Sequence, residues 1–373
     1  MPAGSRRLVT LLLQTDGNLP PRIAAGVVVG RGAHHCELKT DVTSTIAQTI
    51  IPRLGRRRLS VAISLLIFAV AGFTLYDLLR GVDFGKVAAA IEGQSKQRLA
   101  LAGVFVVAGY FTLTFYDVFA LRLLGWSKVP YPIAALASFA SWTIGHNLGA
   151  AALTGGLIRL RVYSVWGLTV VDVAKIALVT GMTFVLGNAL LLGGATAYAP
   201  QAASVVDHLP PWINRAIGLS ALLVLACYLV WLAPRRRVVG RSGWRFVLPN
   251  LRLTLLQIAI GSLDLLVVSL AMYALLPQSP ALGFVSVLVI FLTATLLGTA
   301  SHAPGGLGVI EATMLLGLPQ FHKEELLAAL VTFRTLYFVL PLFLAAFSLG
   351  VREIWMLAQD ASARRHRRVD DAR

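Results

Sequence analysis

The stretch "SHAPGGLGVIEATMLLG", residues 301–317, follows one of the most apolar parts of the chain and precedes another. Pro304 and the glycines at 305, 306 and 308 break any helix that enters it, and Glu311 adds a carboxylate. Non-helical backbone at membrane depth is tolerated only where protein or a water-filled cavity covers it. If the flanking sequence spans a membrane, this stretch is therefore a broken segment and not a plain crossing.

The composition indicates a membrane protein. Of 373 residues, 57% are hydrophobic and 13% charged, with a mean hydropathy of +0.75, whereas soluble domains are about half apolar and one quarter charged. About eight apolar segments lie between Leu59 and Gly350, and several have the ~20 residues that a crossing needs. We predict an all-α polytopic membrane domain over residues 59–350. A disordered cytoplasmic extension at 1–58 precedes it, and a basic cytoplasmic tail at 351–373 follows.

The arginines cluster beside the apolar segments, at 56–58, at 235–245 and at 364–368. This is the positive-inside pattern, which places both termini and the central linker in the cytoplasm. The net charge of +16 is thus assigned to topology and not to nucleic-acid contact.

Cytoplasmic termini require an even number of full crossings. The positions of the arginines then conflict with two of the segments, because a full crossing at 132–153 would leave Arg159 and Arg161 outside and one at 283–300 would leave the arginine-rich tail outside. The conflict disappears if two segments, 132–153 and 283–318, return to the side they entered. Both contain glycine-rich breaks, "GHNLG" at 145–149 and "SHAPG" at 301–305. Paired broken segments in two halves of a chain point to a transporter binding site. The prediction is two opposed re-entrant hairpins plus six full crossings, near 59–79, 98–123, 169–196, 213–233, 253–276 and 327–350.

Asp264 and Arg334 lie near the centres of apolar segments, where a charge must face the interior of the helix bundle. They are candidate substrate-binding residues. The alternative is a buried ion pair between the two that only holds their helices together.

Other candidate residues flank the two breaks. Arg159, Arg161 and Tyr163 follow the first break, where a guanidinium fork and a phenol suit phosphate oxygens; the alternative is that the arginines only mark a cytoplasmic loop. Glu311 follows the second break and is a candidate for a cationic group or a proton. His146 and His302 are possible proton relays, although histidines at helix ends more often form only structural hydrogen bonds.

Motifs of several enzyme classes are missing from the sequence: HExxH, the P-loop and the nucleophile elbow. Cys36 and Cys227 are too far apart to suggest a metal site or a disulfide framework. We therefore expect no enzymatic activity, no cofactor and no metal. The expected partners are the phospholipid bilayer and a lipid headgroup, with a lipid-modifying enzyme as a further candidate.

Four stretches resemble the transmembrane, flippase-like region of lysylphosphatidylglycerol synthases, and the inner-membrane family often called UPF0104. They are "FYDVFALRLLG" at 115–125, "SFASWTIGHNLGAAALTGGLIRLRVYSVWGL" at 138–168, "PGGLGVIEA" at 304–312 and "FRTLYFVLPLFLAA" at 333–346. Within these stretches the resemblance adds Asp117 and Tyr337 to the candidate residues. The synthases carry a soluble aminoacyl-transfer domain after this region, whereas only about two dozen residues follow Gly350 here, so lysyl transfer is not expected.

The resemblance implies a protein of the bacterial plasma (inner) membrane. It also implies a phospholipid translocase that moves a headgroup-modified or anionic lipid between leaflets. The alternative is an accessory protein that does not transport but binds lipid, a lipid synthase or a glycosyltransferase. Exchange of a labelled lipid in liposomes distinguishes the two.

Overall fold

The computed structural model describes residues 83–148, 151–233, 238–239 and 246–352. The predicted N-terminal extension, the crossing at 59–79 and all but the start of the basic tail lie outside these residues. Five described helices are long and apolar enough to cross a membrane: α2 (Lys96–Leu123), α5 (Val170–Tyr198), α7 (Pro211–Leu232), α8 (Leu251–Leu275) and α11 (Lys323–Arg352). Each coincides with a predicted crossing. The prediction of an all-α membrane protein is confirmed.

The remaining helices are shorter. They are α1 (Phe84–Glu92), α3 (Tyr131–Leu148), α4 (Ala151–Tyr163), α6 (Pro200–Asp207), α9 (Phe284–Ala300) and α10 (Val309–Gly317), with 3₁₀ turns at Ser164–Trp166 and Pro304–Gly306. Two antiparallel two-residue strands, β1 (Val238–Val239) and β2 (Phe246–Val247), pair between α7 and α8. The helix α11 changes to π geometry at Thr335–Val339.

Each predicted hairpin consists of two helices that pack against each other. The first predicted break, 145–149, is helical as far as Leu148, where α3 ends, and α4 begins at Ala151. The second lies between α9 and α10, where Gly305, Gly306 and Gly308 all have positive φ angles, 60°, 60° and 79°. Glycine adopts this left-handed backbone without a steric penalty, so these residues allow the chain to reverse. The described helices thus form two helix–break–helix hairpins.

The long helices place polar groups inside the bundle and apolar groups outside it. Val224 and Val230 of α7 are 69% and 72% exposed, as expected for side chains that face lipid. Asp117, Arg159 and Asp264 are buried instead. This distribution fits the cost of placing a charge in hydrocarbon, and it concentrates the candidate residues between helices.

A close approach of α5 and α8 brings the bundle together near its centre. An added Cβ at Gly261 of α8 would lie 2.3 Å from the carbonyl oxygen of Thr183, and one at Gly187 would lie 2.4 Å from the backbone of Gly261. Small residues at such a crossing allow backbone-to-backbone packing, which is the usual way that membrane helices associate. Asp264 lies one turn beyond Gly261, so this crossing fixes its position.

Candidate functional site

A cavity of about 400 Å³ lies where the two hairpins meet. The hairpin of α3 and α4 contributes Trp142, Gly145 and His146, and the α3 helix also contacts the 3₁₀ turn of the second hairpin. The second hairpin contributes its own break. The further lining comes from the long helices α2, α5, α8 and α11. Both glycine-broken segments therefore line a single cavity.

Asp264 is the only Asp, Glu, Lys or Arg among the residues that line this cavity in the described part of the chain. It lies in the middle of α8 and is 5% exposed. Its Oδ2 accepts a hydrogen bond from the Tyr116 hydroxyl at 3.0 Å, whereas its Oδ1 is buried and has no partner among the described residues. Asp264 thus brings a buried carboxyl oxygen without a described partner to the cavity wall.

Aromatic rings form much of the wall. Trp142 makes edge contacts with Tyr116 and His146, at centroid distances of 5.5 and 5.1 Å. On α11, the rings of Phe333 and Tyr337 are stacked at 5.3 Å. The cavity therefore has large apolar faces around one carboxyl group, the mixture of apolar wall and few polar groups that is typical of ligand pockets.

The two histidines that sequence analysis singled out line the same cavity. His146 is on α3. His302 lies in the second break, with φ at 55°, and its Nδ1 is 2.9 Å from the carbonyl oxygen of Ala300. Both histidines therefore belong to the cavity wall, and their role as a proton relay stays a prediction.

An arginine holds the second break against α11. The Arg334 guanidinium binds Glu311 through Nε and donates through Nη1 to the carbonyl oxygen of Gly305 at 3.1 Å. Glu311 also accepts from the backbone N–H of Gly308 at 2.8 Å. The third nitrogen, Nη2 of Arg334, is buried without a partner among the described residues, and the guanidinium lies 5.5 Å from the ring centre of Phe338, which lines the cavity.

The ion pair considered between Asp264 and Arg334 is therefore wrong. Arg334 pairs with Glu311, while Asp264 accepts from Tyr116. Mid-span position correctly indicated that both side chains face the bundle interior, but it does not determine which helix supplies the partner.

A second buried cluster joins α4 to α2. Arg159 donates through Nε and Nη2 to both carboxylate oxygens of Asp117, at 2.8–3.2 Å, and the Tyr163 hydroxyl donates to the same carboxylate at 2.7 Å. Asp117 is 0% exposed and Arg159 5%. The guanidinium lies 6.0 Å from the ring centre of Trp142, so this cluster is directly behind the cavity wall. Arg161, two residues further on, is exposed.

Two bacterial proteins are similar to most of this chain. The inner membrane protein YbhN of Escherichia coli is 30% identical over 297 residues, which cover 78% of this chain and 91% of YbhN. The uncharacterized protein slr0712 of Synechocystis is 30% identical over 295 residues, 79% of this chain and 91% of that protein. The chain belongs to the YbhN family. No protein-family model matches it.

Membership in the YbhN family agrees with the helical spans, and together they establish a multi-pass inner membrane protein. The candidate residues of this chain separate into two groups. Asp264, Tyr337, His146 and His302 line the cavity, while Arg334, paired with Glu311, contacts the lining residues Gly305 and Phe338. Asp117, Arg159 and Tyr163 form the cluster behind Trp142. The described residues contain no group of three or more His, Cys, Asp and Glu able to hold a metal ion.

Sequence analysis missed three residues of this site. Tyr116 binds Asp264, Trp142 separates the cavity from Arg159, and Asn147 donates to the carbonyl oxygen of Phe338 at 3.3 Å. Each of the three residues lies in or beside a part of the sequence that the analysis had already singled out. Tyr116 adjoins Asp117, and the other two lie in or beside "GHNLG", the first break.

Proposed function

We propose that this YbhN relative is a phospholipid translocase that moves an anionic or headgroup-modified lipid between leaflets without ATP. The observation that carries the proposal is the single cavity lined by both glycine-broken hairpins, with Asp264 as its charged group. The resemblance to the flippase-like region of lysylphosphatidylglycerol synthases supports the same function.

The geometry suggests how the headgroup would be held. Both arginines are paired with carboxylates, but Arg334 also has a nitrogen, Nη2, without a partner among the described residues, and it contacts the cavity-lining Gly305, so we assign phosphate binding to Arg334. A guanidinium matches phosphate oxygens well. The aromatic wall would cover the glycerol region, and the acyl chains would remain in the surrounding lipid. Arg159 would act indirectly, by holding the hairpin of α3 and α4 and its Trp142 in position.

Transport by opposed hairpins requires that each hairpin return to its own side of the membrane. We test this with single cysteines in a chain that lacks Cys36 and Cys227, labelled by an impermeant thiol reagent. The first hairpin is bracketed by exposed Ser127 and Val165, and the second by exposed Gln278 and Gln320. We expect Ser127→Cys and Val165→Cys to react from the cytoplasmic side and the other two from the outside. Reaction of Ser127→Cys and Val165→Cys from opposite faces, or of the other pair from opposite faces, would contradict the topology.

The function itself is tested by exchange of acyl-labelled phosphatidylglycerol in liposomes. Thr295 and Thr293 lie on α9, are half-buried and donate to preceding backbone carbonyls, but only Thr295 lines the cavity. Thr295→Phe should fill the cavity and reduce exchange by about tenfold or more, equivalent to 1.4 kcal/mol of barrier or more. Thr293→Phe is the matched control and should retain exchange. Lipid binding without exchange by the wild type would instead support the accessory role.

A further inference from the structure

The carboxyl group of Asp264 has no cationic partner in the part of the chain that the structure describes. The two arginines nearest to the cavity are engaged by other carboxylates, Arg159 by Asp117 and Arg334 by Glu311. The Tyr116 hydroxyl satisfies one oxygen of Asp264, and the other oxygen is orphaned. Asp264 differs in this respect from Asp117, whose two oxygens are both bound.

The titratable groups near Asp264 come from α2, α3, α11 and the second break. On α2 they are Tyr116, whose hydroxyl donates to Asp264, and Tyr110, and on α11 Tyr337, which lines the same cavity. The α3 helix adds His146, and the second break adds His302. The α9 helix contains no titratable side chain, and those at the start of α5, Asp172 and Lys175, lie outside the cavity lining.

A lone buried carboxylate is costly, and the cost is removed by a proton or by water that enters with an open cavity. Both states are possible here. When water fills the cavity, Oδ1 can be ionised and hydrated while Tyr116 donates to Oδ2. When a lipid headgroup displaces the water, Oδ1 can take a proton and become a hydroxyl donor. Occupancy of the cavity and protonation of Asp264 are then linked.

We infer that Asp264 is the proton carrier that couples lipid movement to a proton gradient, an inference that rests on the proposed translocase function. A proton from water on one side bonds to Oδ1, and the same O–H bond breaks to release it to water on the other side. Tyr116 keeps its own proton throughout. The cavity walls from both hairpins provide access from the two sides in turn.

The test measures leaflet distribution in proteoliposomes with a pH difference. Acyl-labelled phosphatidylglycerol in the outer leaflet is quenched by dithionite at the end of the exchange. A gradient drives a coupled carrier in one thermodynamic direction whichever way the protein is inserted. We expect the wild type to shift the labelled lipid away from its distribution at equal pH, and a protonophore to abolish the shift.

Asp264→Asn replaces the carboxyl group with an amide of the same shape that cannot carry the proton. It should lose the response to the gradient, so that whatever exchange it retains settles at the same distribution with and without the gradient. Asp264→Glu restores a proton carrier and should regain a response, which also keeps the test valid if the amide variant folds poorly. Asp172→Asn, a carboxylate outside the cavity lining, should respond like the wild type.

Three outcomes would overturn the inference. If wild-type exchange does not respond to the pH difference, the result contradicts proton coupling but not the translocase function. If the wild type does not exchange lipid at all, the result contradicts both proton coupling and the translocase function. If Asp264→Asn loses exchange of labelled phosphatidylethanolamine but not of phosphatidylglycerol, the carboxylate binds the amine of a lipid and not a transported proton.

Discussion

Replacing Arg159 with glutamine should destabilise the protein by roughly 3–5 kcal/mol, because it leaves the carboxylate of Asp117 buried without its cation. Asp117 is fully buried, and two nitrogens of Arg159 supply most of its hydrogen bonds. We expect Arg159→Gln to lower the amount of folded protein and its thermal stability in detergent. Arg159→Lys should lie between the two, since an ammonium group cannot reproduce the two-pronged contact.

The matched control for this prediction is Arg161→Gln. Arg161 has the same side chain on the same helix but is exposed, so the change should alter stability by no more than ~1 kcal/mol, the range of an exposed ion pair. The double variant Asp117→Asn with Arg159→Gln should recover part of the loss, because it removes both charges together. Wild-type stability in Arg159→Gln would show that the cluster does not hold α4 to α2.

The second large effect is expected at the clamp between α10 and α11. Arg334→Gln removes the ion pair with Glu311 and weakens the support of the Gly305 carbonyl. Hydrogen bonds to charged groups contribute about 1.5–3 kcal/mol each, so we expect a loss of at least that size. The break would be less firmly attached to α11, and both stability in detergent and lipid exchange should fall.

A double-mutant cycle identifies the partner of Arg334. Glu311→Gln combined with Arg334→Gln should show a coupling of 0.5–3 kcal/mol, as expected for residues in contact. Asp264→Asn combined with Arg334→Gln should be additive within about 0.5 kcal/mol, because the structure gives them different partners. The reverse result, strong coupling only with Asp264, would favour the ion pair that the sequence suggested.

The positions of most membrane-spanning helices could be predicted, because the free energy of transfer into a membrane depends on the residues of one short segment. Each residue of a span contributes its own transfer free energy, so a window of about 20 residues is sufficient to locate a crossing. The predicted spans at 169–196 and 253–276 coincide with helices Val170–Tyr198 and Leu251–Leu275 for this reason. The breaks were also local. Proline and left-handed glycines stop a helix wherever they occur, and α9 ends at Ala300 just before "SHAPG".

The hydrogen-bonding partner of each buried charged side chain could not be predicted, because it depends on which helices pack together. Arg334 and Asp264 are both mid-span, and the sequence alone allows them to pair. Packing instead places Tyr116, 148 residues away along the chain, beside Asp264, and Glu311 beside Arg334. The same packing engages Arg159 with Asp117, 42 residues earlier, and changes its expected role from phosphate binding to support of the cavity wall.

The sequence by itself determined that the chain is a helical membrane protein, where most of its spans lie, and where two of its segments break. These properties follow from hydrophobicity and backbone freedom, which act over neighbouring residues. Only the tertiary structure decided that the two breaks line one cavity, that both arginines beside it are held by carboxylates, and that Asp264 faces that cavity with an unpartnered oxygen. Those facts depend on contacts between helices far apart in sequence, and a buried charge takes its properties from such contacts.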